Sequence, residues 1–133
     1  MDGIIITPLR RVVHPKGDVL HALKACEKSY TGFGEAYFTT VMSGETKGWK
    51  KHLRMTMNLV VPVGNVCFYF RQDNGKTESI NLGETNYQRL TVSPGLWVAF
   101  RGLSNGLNLV LNVADLEHDP VEAVNVPLET YAL

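Results

Sequence analysis

The stretch LVVPVGNVCFYFRQDNGKTESIN, residues 59–81, decides how the rest of the chain is interpreted. It contains three short runs rich in valine and aromatic or other β-forming residues, at Leu59 to Val63, Val66 to Arg71 and Thr77 to Asn81. Asp73-Asn74-Gly75 separates the last two runs and supplies residues that tolerate positive φ angles, as a hairpin turn requires. The stretch therefore predicts consecutive antiparallel strands.

The same alternation of β-rich runs and turn residues extends over most of the chain. Turn sequences such as Ser93-Pro94-Gly95 and Ser104-Asn105-Gly106 interrupt it roughly every eight to twelve residues. Many short, evenly spaced strands of this kind are typical of a β-sandwich or barrel. The other predicted strands are Ile4 to Thr7, Leu9 to Val13, Glu35 to Met42, Gly48 to Arg54, Gln88 to Val92, Leu96 to Arg101 and Leu107 to Val113.

One segment, DVLHALKACEK at residues 18–28, departs from this pattern. Its apolar side chains fall near helical spacing, and Asp18 suits the N-cap position of a helix. A strand followed by a turn explains the same residues nearly as well. Both interpretations therefore stay open at the level of sequence.

Length and composition limit the class of protein. The chain has 133 residues, 13 Lys plus Arg against 13 Asp plus Glu, and 44% hydrophobic residues. This length predicts one domain over residues 1–133, with an N-terminal strand arm at 1–16 and a tail at 119–133 that wraps the barrel. Balanced charge argues against a nucleic-acid partner, which would need a surplus of cations.

Targeting and redox signals are few. Two cysteines are too few for a disulfide framework. The N-terminus has only a three-residue apolar run before Thr7-Pro8, and no run of about 18 apolar residues occurs anywhere. We therefore expect a soluble cytoplasmic protein with no membrane partner.

The segment KGWKKHLR, residues 47–54, is the most informative for function. In a strand, Lys50, His52 and Arg54 share one face at intervals of about 7 Å. Facing a cavity, they would form a cationic wall for a phosphorylated or carboxylated ligand, with His52 as a proton-transfer group. Facing solvent, the lysines would protect an edge strand from aggregation. Periodicity alone does not separate these two interpretations.

Two other predicted strands carry polar side chains in pairs. Tyr69 and Arg71 share a face and would either line a ligand cavity or form the ordinary rim of a core strand. Glu35 and Tyr37 share a face of another strand and bring a carboxylate and a phenol together. The glycines before them precede a strand and not a helix, so a dinucleotide-binding loop is not predicted.

Four stretches carry a family resemblance: GFGEAYFTTV (32–41), KGWKKHLRMTMNLVVPVG (47–64), NYQRLTVSPGLWVAF (86–100) and NVADLEHDP (112–120). The chain resembles the dTDP-4-dehydrorhamnose 3,5-epimerase family and its relatives, the dTDP-4-keto-6-deoxyhexose ketoisomerases, of the cupin superfamily. The resemblance covers about residues 17–127. It implies an all-β, single-domain, cupin-like double-stranded β-helix, or jelly roll.

The resemblance also implies a reaction. It is that of a metal-independent isomerase or epimerase acting on a nucleotide-linked 4-keto-6-deoxy sugar, in which a base removes the proton next to the ketone. The ketone itself acidifies that proton, so neither a metal nor another cofactor is implied. The expected partner is a nucleotide-diphosphate sugar. Because small jelly rolls often cover a sheet edge with a second copy, we also expect a homodimer, with residues 4–13 as the exchanged segment.

Site residues transfer unevenly from the family pattern. Lys50 stands at the position of the catalytic histidine and His52 at that of a second histidine of the relatives, so either is a candidate base. A lysine serves as base only where burial or neighbouring cations lower its pKa by several units. No tyrosine occupies the usual acid position, so Tyr37, Tyr69 or Tyr87 would have to replace it, and we take Tyr37 as the candidate acid. The expected substrate-binding residues are Lys47, Arg54, Asn58, Tyr69, Arg71 and Glu35.

The substitutions also support an alternative function. Of the four ligand positions of metal-binding cupins only one, His52, keeps a metal ligand, so we predict no metal. The missing histidine and tyrosine are equally compatible with a non-catalytic cupin that binds a nucleotide sugar or a related anion.

Overall fold

The computed structural model describes residues 1–133 and contains twelve β-strands, one short 3₁₀ helix and no α-helix. The all-β prediction is confirmed. The elements are β1 (Ile4–Pro8), β2 (Arg11–Val12), β3 (Val19–Leu20), β4 (Glu35–Thr40), β5 (Thr46–His52), β6 (Met57–Val63), β7 (Asn65–Arg71), β8 (Thr77–Gly83), β9 (Gln88–Val92), β10 (Trp97–Gly102), β11 (Leu109–Ala114), β12 (Ala123–Asn125) and the 3₁₀ helix Leu128–Thr130.

Two five-stranded antiparallel sheets form the body of the molecule. The first sheet has the strand order β1-β9-β6-β11-β4 and the second has the order β12-β5-β10-β7-β8. Alternate side chains of both sheets point into a shared core; Phe68 and Phe70 of β7 are at most 1% exposed, whereas Tyr69 between them is partly exposed. This is the two-layer arrangement of a jelly roll.

The predicted turn residues form the turns. The hairpin between β7 and β8 has Gly75 at φ 93°, a conformation that glycine adopts without steric cost. Gly64, between β6 and β7, has φ 81°, and a Cβ atom there would lie 2.3 Å from the carbonyl oxygen of Leu107. Only glycine fits at this second turn.

Residues 18–28 contain no helix, so the helical interpretation is wrong and the alternative of a strand and a turn is confirmed. Val19–Leu20 forms β3 and pairs with β2, and the backbone N–H of His21 donates to the carbonyl of Arg10. Glu27 then forms an ion pair with Arg89, which is 1% exposed on β9. These contacts with other parts of the chain outweigh the weak helical propensity of the segment.

The C-terminal tail lies against the second sheet. Its strand β12 pairs with β5, placing Ala123 opposite His52 and Asn125 opposite Lys50. Beyond it, the Tyr131 ring packs against Trp49 and Trp97, with ring centroids 5.8 and 5.6 Å away. The tail thus adds an edge strand and covers the two tryptophans. No helix in the structure has the length and apolar character needed to cross a bilayer.

Candidate active site

A cavity of about 350 Å³ opens between the two sheets. Its floor is apolar, with Met57 and Leu59 from the first sheet and Phe68 and Val98 from the second among the lining residues. An apolar cavity of this size with a few convergent polar groups is typical of a small-molecule site. The polar side chains on its wall belong to Tyr37, Thr39, Lys47, Lys50, His52, Asn112 and Asn125.

His52 is the best-anchored of the polar groups. Its Nδ1 lies 2.6 Å from Oε1 of Glu122, a residue of the C-terminal tail that is 2% exposed. The other carboxylate oxygen, Oε2, accepts hydrogen bonds from the backbone N–H groups of Leu53, Arg54 and Met55 at 2.9 to 3.0 Å. Both oxygens of the buried carboxylate are therefore satisfied, and the imidazole is held in one orientation.

The charge state of Glu122 follows from these contacts. Burial by itself raises the pKa of Glu122, but the hydrogen bond from the Arg54 N–H, the contact with His52 and the hydrogen bond from the Met55 N–H outweigh it and lower the pKa to about 2. An ionised carboxylate carries no proton, so Nδ1 of His52 must be the donor in their hydrogen bond. In the neutral imidazole, Nε2 is then the unprotonated nitrogen, which is the form of a general base.

A β-bulge brings both lysines to the cavity. Val98 of β10 pairs with Lys50, but Phe100 pairs with Lys47, so β5 has one more residue than its partner over this interval. The extra residue reverses the alternation of side chains, and Lys47 and Lys50 both line the cavity. Lys47 is fixed by hydrogen bonds of 3.0 Å to the Thr39 hydroxyl and the Thr40 carbonyl. The Lys50 amine makes no such bond within the chain.

Tyr37 reaches the cavity from the opposite wall. It lies on β4 of the first sheet, whereas His52 lies on β5 of the second. The phenol oxygen accepts a hydrogen bond of 3.0 Å from Nδ2 of Asn112, its cross-strand partner on β11. An imidazole and a phenol thus face one cavity from two sides.

This chain is similar to proteins of known structure. No family model and no curated protein matches the sequence. Among solved structures, a dTDP sugar isomerase from Desulfovibrio desulfuricans has a TM-score of 0.93 at 29% identity, covering 97% of this chain and 87% of its own. The predicted resemblance is confirmed. The chain has the cupin jelly-roll fold.

More distant structures share this cupin fold. The dTDP-4-dehydrorhamnose 3,5-epimerase from Sulfolobus tokodaii has a TM-score of 0.84 at 16% identity, covering 100% of this chain and 82% of its own. The sugar 3,4-ketoisomerase QdtA from Thermoanaerobacterium thermosaccharolyticum, solved in complex with TDP, has a TM-score of 0.81 at 15% identity, covering 93% and 88%. At these identities the likeness supports the fold.

In this cupin jelly roll, five of the expected site residues do not line the cavity. We predicted a strand through Arg54, but β5 ends at His52 and the Arg54 side chain is 63% exposed, paired with Asp119. Arg54 therefore leaves the row that Lys50 and His52 share. The backbone leaves the strand direction here because the N–H groups of residues 53–55 donate hydrogen bonds to the Glu122 carboxylate.

Three of the other four lie on outer faces of the sheets, whereas Glu35 is the first residue of β4 and lies beyond the end of the cavity lining on the face that Tyr37 shares. Asn58 is buried, but its amide bonds to the Ser29 carbonyl and the Thr91 hydroxyl on the side of the first sheet away from the cavity. Tyr69 packs beside the Trp49–Trp97 cluster, and the Arg71 guanidinium stacks on Tyr131. Glu35 accepts a hydrogen bond from the backbone N–H of His118.

Sequence reasoning missed Glu122 and Asn112. Glu122 lies two residues after Pro120 in a segment without periodicity, so no local signal marks it. Asn112 does carry a signal, because Val110, Asn112 and Ala114 are the buried positions of β11 and a polar residue in such a row needs a partner. No three His, Cys, Asp or Glu side chains cluster in a way that could hold a metal ion.

Proposed function

We propose that this cupin is a metal-independent isomerase or epimerase of a nucleotide-linked 4-keto-6-deoxy sugar. The observation that carries the proposal is the buried His52–Glu122 pair on the wall of a cavity whose opposite wall bears Tyr37. Solved structures of this fold include a dTDP sugar isomerase and an epimerase of 4-keto-6-deoxy sugars. A module that only binds a sugar would not need a histidine whose tautomer and orientation are set by a buried carboxylate.

His52 is the base in this proposal. Nε2 removes the proton from the carbon next to the ketone, and the electrons of the C–H bond move into the enolate, whose negative charge rests on the former ketone oxygen. The proton makes His52 an imidazolium, and the ionised Glu122 beside it stabilises that cation. Glu122 is thus a positioning residue that also compensates charge.

Tyr37 and the two lysines complete the reaction. Tyr37 returns a proton to the enolate from the opposite wall, which allows the carbon to be protonated on its other face. Lys47 and Lys50 place two cations at the cavity, where they stabilise the enolate oxygen and the diphosphate of the substrate. Lys50 acts as a cation and not as the base, because His52 alone is oriented by a carboxylate.

Proton exchange tests the function directly. The protein is incubated with dTDP-4-keto-6-deoxyglucose in deuterated water, and NMR follows the ring positions next to the ketone. We expect deuterium to enter these positions and an isomerised sugar to accumulate. Binding of the sugar without any exchange would contradict the proposal and favour a non-catalytic cupin.

We also propose that two copies associate. Strand β1 is an edge of the first sheet, and Ile5 and Ile6 on it are 53% and 44% exposed, which is unfavourable for an isolated chain. Contact through residues 4–13 would cover these side chains. Light scattering should give about twice the 14.8 kDa of one chain, and an Ile5→Asp variant should dissociate. A monomeric mass for the unmodified protein would contradict the proposal.

A further inference from the structure

Asn112 is a buried polar residue that takes no part in the proton transfers of His52 and Tyr37. It is 1% exposed, lies in the middle of β11 and lines the cavity. The register of β11 and β4 places it directly opposite Tyr37, and side chains of directly opposed residues lie on the same face of a sheet. The two side chains therefore form one unit of the cavity wall.

Only the nitrogen end of the Asn112 side-chain amide is hydrogen-bonded. Nδ2 donates to the Tyr37 oxygen at 3.0 Å, whereas Oδ1 is buried with no hydrogen-bond partner. A buried carbonyl oxygen without a donor is unfavourable and uncommon in folded proteins. If the amide were reversed, Oδ1 would take the place of Nδ2 and accept a hydrogen bond from the phenol hydroxyl of Tyr37. The observed orientation instead makes the phenol oxygen an acceptor.

This orientation has a chemical consequence for Tyr37. A hydroxyl that accepts a hydrogen bond keeps its own proton for another partner. The same N–H donor strengthens its bond when the oxygen becomes a phenolate, because hydrogen bonds to charged oxygens are the stronger ones. An acid that must give up a proton in the reaction benefits from both effects.

We propose that Asn112 is a positioning residue that holds the Tyr37 phenol as a hydrogen-bond acceptor, so that its proton is free for delivery to the enolate. The inference rests on the proposed function. In the step, the Tyr37 O–H bond breaks and a C–H bond forms at the enolate carbon. The resulting phenolate accepts a hydrogen bond from the Asn112 N–H until a water molecule returns a proton to it. Asn112 itself exchanges no proton with the sugar.

The test separates proton removal from proton return. Deuterium wash-in at the position next to the ketone reports removal by His52, and the ratio of isomerised product to exchanged sugar reports return by Tyr37. Asn112→Leu keeps the volume but removes the donor, so we expect this ratio to fall roughly ten- to a hundredfold. Asn112→Asp also removes the N–H and adds an acceptor for the phenol proton, and should lower the ratio at least as much.

A double-mutant cycle shows whether Asn112 acts through Tyr37. If it does, Tyr37→Phe/Asn112→Leu should have the same ratio as Tyr37→Phe alone, because the second change removes nothing that remains. Thr91→Val is the matched control: it removes one buried hydrogen bond, to Asn58, away from the cavity. It should lower the thermal stability and leave the ratio unchanged.

The outcomes are distinct. An unchanged ratio in folded Asn112→Leu, or a further fall in the double variant, overturns the role of Asn112 while leaving the proposed function in place. If the unmodified protein neither exchanges the proton nor forms product, the proposed function is overturned and this inference with it.

Discussion

Replacing His52 with alanine is expected to lower the rate of deuterium wash-in by about 10²- to 10⁴-fold, the usual contribution of a positioned general base. The reason is that Nδ1 of His52 donates its proton to the buried Glu122, which leaves Nε2 as the unprotonated nitrogen of a residue that lines the cavity. Binding of the sugar, measured by calorimetry, should weaken far less, because the lysines and the apolar floor remain.

Lys50→Ala is the informative comparison for His52→Ala. Lys50 lies two residues away on the same strand and lines the same cavity, but no carboxylate orients its amine. We expect weaker binding and a smaller loss of exchange. If Lys50→Ala abolishes exchange while His52→Ala retains it, the lysine is the base and His52 is not.

Glu122→Gln is expected to affect both stability and catalysis. The carboxylate of Glu122 accepts hydrogen bonds from three backbone N–H groups and pairs with His52. A pKa of about 2 against an ordinary value of 4.5 corresponds to roughly 3 kcal/mol of stabilisation by the ionised form. Chemical denaturation at neutral pH should show a loss of this order. Exchange should fall on the order of 10²-fold or more, because the imidazolium loses its compensating charge.

The pH dependence of unfolding gives a second readout for Glu122. Its pKa is lower in the folded chain than in the unfolded chain, so its stabilisation is complete above about pH 4.5 and is lost as the pH falls towards 2. The Gln variant should therefore lose less stability over this interval than the unmodified protein. Glu129→Gln, an exposed position in the same tail, serves as the control and should leave the curve unchanged. Identical acid-unfolding curves for Glu122→Gln and the unmodified protein would contradict this account.

Much of the site followed from strand periodicity. The alternation of residues 47–54 predicted that Lys50 and His52 share a face, and the structure places both on the cavity wall. Tyr37 was likewise selected from a strand pattern and a family resemblance. These inferences succeed because the side chains of a strand alternate whatever the strand pairs with. A local sequence pattern is therefore enough to predict which side chains share a face of the strand.

Two features of the site depend on contacts with distant parts of the chain, and strand periodicity does not predict them. Strand periodicity did not predict the β-bulge that turns Lys47 to the cavity, because a bulge depends on the register between β5 and β10. It also extended the strand to Arg54, which the structure turns outward because Glu122 holds the backbone of residues 53–55.

The sequence is enough to predict an all-β chain, its hairpin turns and the strand faces that carry His52 and Tyr37, because those depend on neighbours along the chain. The contact that orients the His52 imidazole emerges only from the tertiary structure. Glu122 lies 70 residues further along the chain and reaches the imidazole through the pairing of β12 with β5. Such a contact depends on the register between distant strands, which no single segment encodes.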